Sequence, residues 1–152
     1  MKRWGLLIVL GVLLLNQPFE ASDVARLKPV EVVRVSANAH GICVETDTGD
    51  SGMGDSLSEA FLDLKATANG DVFWETADRV LVSPLMVELV PELTDYLRPG
   101  CNVCVEMGKV ELDAVGAFLD IHEPKVTLQE HRAEQLPLPV LYVIDGRMYL
   151  VE

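Results

Sequence analysis

The sequence predicts an α/β domain of the α+β kind: a mixed β-sheet with about three helices packed on it and a C-terminal β-hairpin. Three observations predict it. Short β-branched runs, such as Val32-Val-Arg-Val35 and Arg79-Val-Leu-Val82, recur along the chain. Between them lie segments whose apolar residues fall three and four apart, the spacing of a helix buried on one side. The chain then closes on PVLYVIDGRMYLVE, two alternating runs around Asp145-Gly146, the strongest short-range hairpin signal.

The elements follow in order. Val30–Ser36 and Ile42–Thr46 read as two antiparallel strands joined by Asn38-Ala-His-Gly41. Leu57, Ala60, Phe61, Leu64 and Ala68 recur at helical spacing before Asn69-Gly70 stops the helix. Arg79–Val82 is nearly all apolar, as expected near the middle of a sheet. Ser83-Pro84 opens a further helix, expected to bury Leu85, Leu89, Leu93 and Leu97 and to be kinked or split at Pro91. Cys101–Met107 is the next strand. Glu111–His122 is a helix with Leu112, Val115 and Leu119 inward. Glu123–Pro139 is a polar connection with a helical turn at Thr127–Glu130, and the hairpin follows. The expected order is β-β-α-β-α-β-α-β-β, a sheet with helices on it.

Residues 1–21 carry a different signal. Met1-Lys2-Arg3 precedes an apolar run from Trp4 to Leu15, the basic and apolar regions of an export signal. As a helix at ~1.5 Å per residue the run covers about 18 Å, short of the roughly 30 Å hydrocarbon core. It is expected to be a cleaved signal or a short anchor, leaving the protein exported and extracytoplasmic. Residues 22–152 are then expected to form a single acidic domain, long enough to bury a core without disulfides.

The chain has 12 basic and 24 acidic side chains, a net charge of −12. Without residues 1–21 there are 10 basic and 23 acidic, a net of −13. Such a field repels nucleic acid and anionic lipid, so neither is expected as a direct partner, and membrane contact is expected only through the N-terminal segment.

VETDTGDSGMGDSLSEA, residues 44–60, is where catalysis would sit if the chain had any. Asp47-Thr48-Gly49 is the triplet of an aspartic protease, but that chemistry needs two carboxylates sharing one proton in a dry site. Glu45 and Asp50 crowd the triplet with charge. A calcium loop needs oxygen ligands at alternating positions and a glutamate at the twelfth; counted from Asp47, these positions are Gly49 and Ser58. A phosphate loop needs lysine after its last glycine, and Asp55 stands there instead. The structural reading accounts for more residues. Gly52 and Gly54 let the chain turn out of a strand, Ser56-Leu-Ser-Glu59 forms a capping box, and Asp55 sits where the helix dipole favours it. No catalytic residue, metal or cofactor is therefore expected. Asp47, Asp50 and Asp55 are expected as an acidic contact surface.

Cys101-Asn-Val-Cys104 is the other motif. A redox pair lowers its first thiol's pKa at a helix N-terminus, whereas these residues begin a strand and point to opposite faces. Cys43, Cys101 and Cys104 are the candidates for a disulfide or a thiol couple, weighed against buried thiols that only pack. His122-Glu123 and Glu130-His131 are separated by Pro124 and do not form a helix-face metal pair.

Gly52-Met-Gly54-Asp-Ser56-Leu-Ser-Glu59-Ala60 is similar to a stretch in the N-terminal domain of the spore-germination receptor C-subunit family, the Ger(x)C proteins. There a strand pair leads through a Gly-x-Gly-x-(Ser/Thr)-Leu-x-Glu-Ala motif into a helix. The resemblance spans about ninety residues, from Val32 to Leu119. It implies an export-side, membrane-associated, non-enzymatic protein of an endospore-forming bacterium, with another envelope protein as partner. The lipid-accepting cysteine of that family has no counterpart after the apolar run here. The expected function is protein–protein contact at the cell or spore envelope, through the acidic junction, the edge strand of the final hairpin, or both. The alternative is an exported thiol-disulfide protein using Cys101 and Cys104.

Overall fold

A computed structural model describes residues 27–152. The expected export segment, residues 1–21, lies outside them. Among the described residues no helix is long and apolar enough to cross a membrane.

The described residues form nine strands and three α-helices: β1 (Leu27–Pro29), β2 (Val32–Asn38), β3 (Gly41–Thr46), β4 (Ser51–Gly54), α1 (Leu57–Thr67), β5 (Asp71–Phe73), β6 (Arg79–Val82), β7 (Asn102–Met107), α2 (Leu112–Leu119), α3 (Leu128–Glu134), β8 (Val140–Ile144) and β9 (Arg147–Val151). Between β6 and β7 the chain runs as a 3-10 helix over Pro84–Asp95. Seven strands form one mixed sheet in the order β4-β3-β2-β6-β7-β8-β9. The four central strands β2, β6, β7 and β8 run parallel, and each end of the sheet is finished by antiparallel pairing. The two remaining strands, β1 and β5, pair in parallel beside it.

Alternation along the strands divides the core in two. Val33, Val35, Val44, Val80, Val82 and Val103 line one face. That face is covered by Leu57, Ala60, Phe61 and Leu64 of α1, by Val90, Leu93 and Leu97, and by Leu128 at the start of α3. The Phe61 ring stacks on Tyr96 with centroids 4.6 Å apart. On the other face Val32, Leu81, Cys104 and Leu141 lie beneath Leu112, Val115 and Leu119 of α2. The expected α/β class is what the molecule has, as a three-layer arrangement.

Three local expectations need correction. The glycine stretch is not only a junction, because Ser51–Gly54 is the edge strand β4, paired antiparallel with β3. Its glycines do not make the turn, which falls at Gly49 with φ 85°. They clear a path for α1 instead: a Cβ on Gly52 would meet Leu64 N at 2.2 Å and Ala60 O at 2.3 Å, and one on Gly54 would meet Glu59 Cβ at 2.4 Å. The expected capping box is half present. Ser56 Oγ accepts from Glu59 N, but the Glu59 carboxylate accepts from Asp55 N rather than from Ser56. Thr127 and Glu130 form the complete box, at the start of α3.

The third correction concerns Pro84–Asp95. An α-helix would align Leu85 with Leu89 and Leu93, yet Leu85 is 79 % exposed. Pro91 has no N–H to give and its ring crowds the carbonyl four residues earlier, so the segment winds as 3-10 turns. At three residues per turn the buried pair becomes Val90 and Leu93.

Candidate functional site

The acidic junction is held mostly by its own hydrogen bonds. Asp47 follows β3, and its Oδ2 accepts from Glu31 N at 3.1 Å and Val32 N at 3.3 Å, tying the β3–β4 turn to the start of β2. Its Oδ1 is buried without a hydrogen-bond partner. Burial pushes the Asp47 carboxyl up from the ordinary range, opposed by the backbone N–H groups facing it. Asp50 accepts from the Thr48 hydroxyl at 2.9 Å and from Asn69 N at 3.3 Å. Asp55 stands at the other end of β4, which at ~3.3 Å per residue separates it from Asp50 by more than about 10 Å. The three aspartates therefore do not converge, and among the described residues no cluster of acidic, histidine and cysteine side chains is arranged to hold a metal ion.

Asp47 and Asp50 line a cleft of about 450 Å³ with Arg34, Glu45, Lys109 and the start of α2. Sequence reasoning missed its floor. Arg34, in the middle of β2, reaches across β6 to Glu106 on β7, with Nε–Oε2 at 2.7 Å and Nη2–Oε1 at 2.8 Å. The guanidinium also donates to Val110 O and lies 3.6 Å from Glu45, which Lys109 neutralises at 3.1 Å. Arg34 and Glu106 are both buried. A forked pair of this kind satisfies its own charges, so the cleft floor keeps no cation in reserve for a ligand.

The three cysteines are free thiols. Cys101 belongs to the core under α1 and the 3-10 helix, Cys104 to the core under α2, and the sheet separates them. Cys43, on β3, is three strands from β7, about 14 Å at strand spacing, whereas a disulfide needs Cα atoms within roughly 7 Å. Burial pushes both the Cys101 and the Cys104 thiol up from 9.0 to about 12. That is the opposite of what a redox nucleophile requires. His131 Nδ1 lies 2.7 Å from Leu136 O, and His122 packs on Phe118 with ring centroids 4.6 Å apart, so the histidines serve local structure.

The two edges of the sheet differ sharply. Along β4 two of the outward backbone groups are taken by side chains: Met53 N donates to Asp63 Oδ2 at 2.8 Å, and Ser51 O accepts from the Thr67 hydroxyl at 3.0 Å. Both capping side chains come from α1. At the opposite edge, Asp145 and Gly146 have φ 50° and 72°, the paired positive angles of a type I′ turn. That turn makes Ile144 and Arg147 a hydrogen-bonded pair, so by alternation Met148 and Leu150 aim their N–H and C=O groups away from β8. No side chain of the described residues caps them.

Beside this edge the sheet carries uncovered apolar residues. Met107, Tyr142 and Tyr149 sit in one cross-strand register, and they are 42 %, 37 % and 47 % exposed. Ile144 and Val151 on the same face are more than half exposed. The sequence signal was available: between Arg147 and Glu152 the edge strand has no charge and no proline, the usual guards of a sheet edge. No protein-family model, curated protein or solved structure matches the chain.

Proposed function

We propose that the protein is a non-catalytic exported domain that acts by protein–protein contact at the cell or spore envelope, with the β8–β9 hairpin as its contact surface. One observation carries this reading: the sheet has one edge capped by its own helix and the other bare beside exposed apolar residues. An unpaired strand next to a large apolar patch is the physical requirement for recognition by strand addition. The surroundings favour contact over catalysis. The thiols are buried, Asp47 is engaged with backbone, and the charges on the cleft floor neutralise each other. The envelope setting and the germination context rest on the N-terminal signal and the Ger(x)C resemblance. No cofactor enters the proposal.

Site-specific photo-crosslinking in the producing cells tests it. A crosslinker at Tyr142 is expected to yield a discrete adduct with another envelope protein, identified by mass. One at Leu62, exposed on α1, is expected to yield none. Equal labelling from both positions, or none from Tyr142, refutes the assignment.

A further inference from the structure

We infer that the bare β9 edge pairs with β9 of a second copy, antiparallel across a two-fold axis through Tyr149, joining two seven-stranded sheets into one. The inference rests on the hairpin being a contact surface and names one occupant for it.

Three features make the strand fit itself. The first is charge. The chain carries a net of −12, yet residues 136–151 contain only Asp145 and Arg147. Two copies of so acidic a protein repel over most of their surfaces, and this neutral strip is where their backbones can approach.

The second is hydrogen-bond geometry. The outward groups of Met148 and Leu150 lie symmetrically about Tyr149. With Tyr149 on the axis, Met148 of one copy faces Leu150 of the other, and each such pair exchanges two backbone hydrogen bonds. Two equivalent pairs form, because a two-fold contact uses the same patch twice.

The third is side-chain alternation. Met148 and Leu150 lie on the α2 side of the sheet, where they pack against the core. Next to the same residues of the second copy they extend that apolar row. On the opposite face Tyr149 meets its own equivalent, and Arg147 falls opposite Val151, one residue from Glu152. The pairing places no two like charges opposite each other. A strand of this length covers less than the roughly 800 Å² per partner of a standard interface, so the dimer is expected to depend on concentration.

Sedimentation velocity on the full chain in mild detergent, from about 5 µM to about 200 µM, tests the inference. A monomer–dimer equilibrium is expected for the wild type. Tyr149→Lys sets two ammonium groups opposite each other at an exposed position, and it is expected to leave the thermal melt unchanged while abolishing the dimer. Val151→Lys, opposite Arg147, is expected to do the same. An equimolar mixture of Tyr149→Lys and Tyr149→Glu is expected to restore the dimer. A wild type monomeric throughout, a Tyr149→Lys protein that still dimerises, or a mixture that stays monomeric would each overturn it. A monomeric wild type whose Tyr142 still crosslinks to another envelope protein leaves the contact-surface reading standing and removes the second copy. A clean dimer without such an adduct keeps the hairpin as the contact surface, with the second copy as its occupant, and removes the separate envelope partner.

Discussion

Alkaline pH should unfold this protein through Cys101 and Cys104. Their folded thiols are pushed up from 9.0 to about 12 by burial, whereas in the unfolded chain they titrate in water. Between those two values the folded state holds protons that the unfolded state releases. Stability from these groups is therefore intact below the unfolded pKa and is lost as pH rises toward the folded one. At about pH 10 an unfolded thiol is roughly nine-tenths ionised and a folded one almost entirely neutral. The difference is somewhat over ~1 kcal/mol for each cysteine, so on the order of 2–3 kcal/mol for the two. Urea unfolding at about pH 7.5 and about pH 10 measures the loss, with the Cys101→Ala/Cys104→Ala double variant as the control. The substitutions shift stability at both pH values alike, so only the change with pH is compared. Every other group is common to both proteins and cancels. The wild type should lose about 2–3 kcal/mol more than the variant over this interval, and each single variant should recover about half of that. If wild type and double variant fall in parallel, the thiols are not held neutral by the core. The face assignment of the CxxC pair would then be wrong.

The remaining predictions concern the parts that position the junction. Glu106→Gln leaves the Arg34 guanidinium buried against a neutral amide and should cost about 3–5 kcal/mol, while Arg34→Met/Glu106→Leu should come out near neutral; chemical denaturation of the two variants separates these outcomes. Gly52→Ala forces a methyl into the α1 backbone and should destabilise by about 1–3 kcal/mol or more, whereas Gly100→Ala, with open space around it, should change little in the same melt. Asp47→Ala strands the Glu31 and Val32 amides and should cost about 1–3 kcal/mol, with faster hydrogen exchange at those two residues. Because the folded Asp47 carboxyl is raised, its ionised form loses stability as pH rises through that value. Compared with Asp47→Asn, which keeps an oxygen acceptor, the wild type should therefore gain as pH is lowered through the same window.

The central strands, α2 and the hairpin were legible because each carries its own local pattern: unbroken β-branched runs, Leu112-Val115-Leu119 spacing, and Asp145-Gly146 between alternating residues. β4 was not, since Ser51-Gly-Met-Gly54 has no strand propensity. It is a strand because β3 pairs with it and α1 packs directly on its glycines, and both are tertiary facts. The same contact explains the motif behind the family resemblance as a steric fit. The 3-10 winding was half legible, as Pro91 announced trouble but not which residues would turn inward. The Arg34–Glu106 pair joins residues seventy-two positions apart, and no local pattern encodes such a meeting. The edge strand could be read from the missing charges between Arg147 and Glu152, but its neighbours Met107 and Tyr142 required the register.

Asp63 and Thr67 also govern how far association can proceed. A molecule adhesive at both ends of its sheet would string into a fibre, each newcomer offering a fresh end to the next. With the β4 end plugged by two side chains of α1, each molecule has a valence of one, and growth ends as soon as the single live end is used. Solubility at high concentration would then rest on a pair of polar residues far from the proposed contact surface. Stripping those two residues would not weaken that contact; it would convert a terminating association into a propagating one.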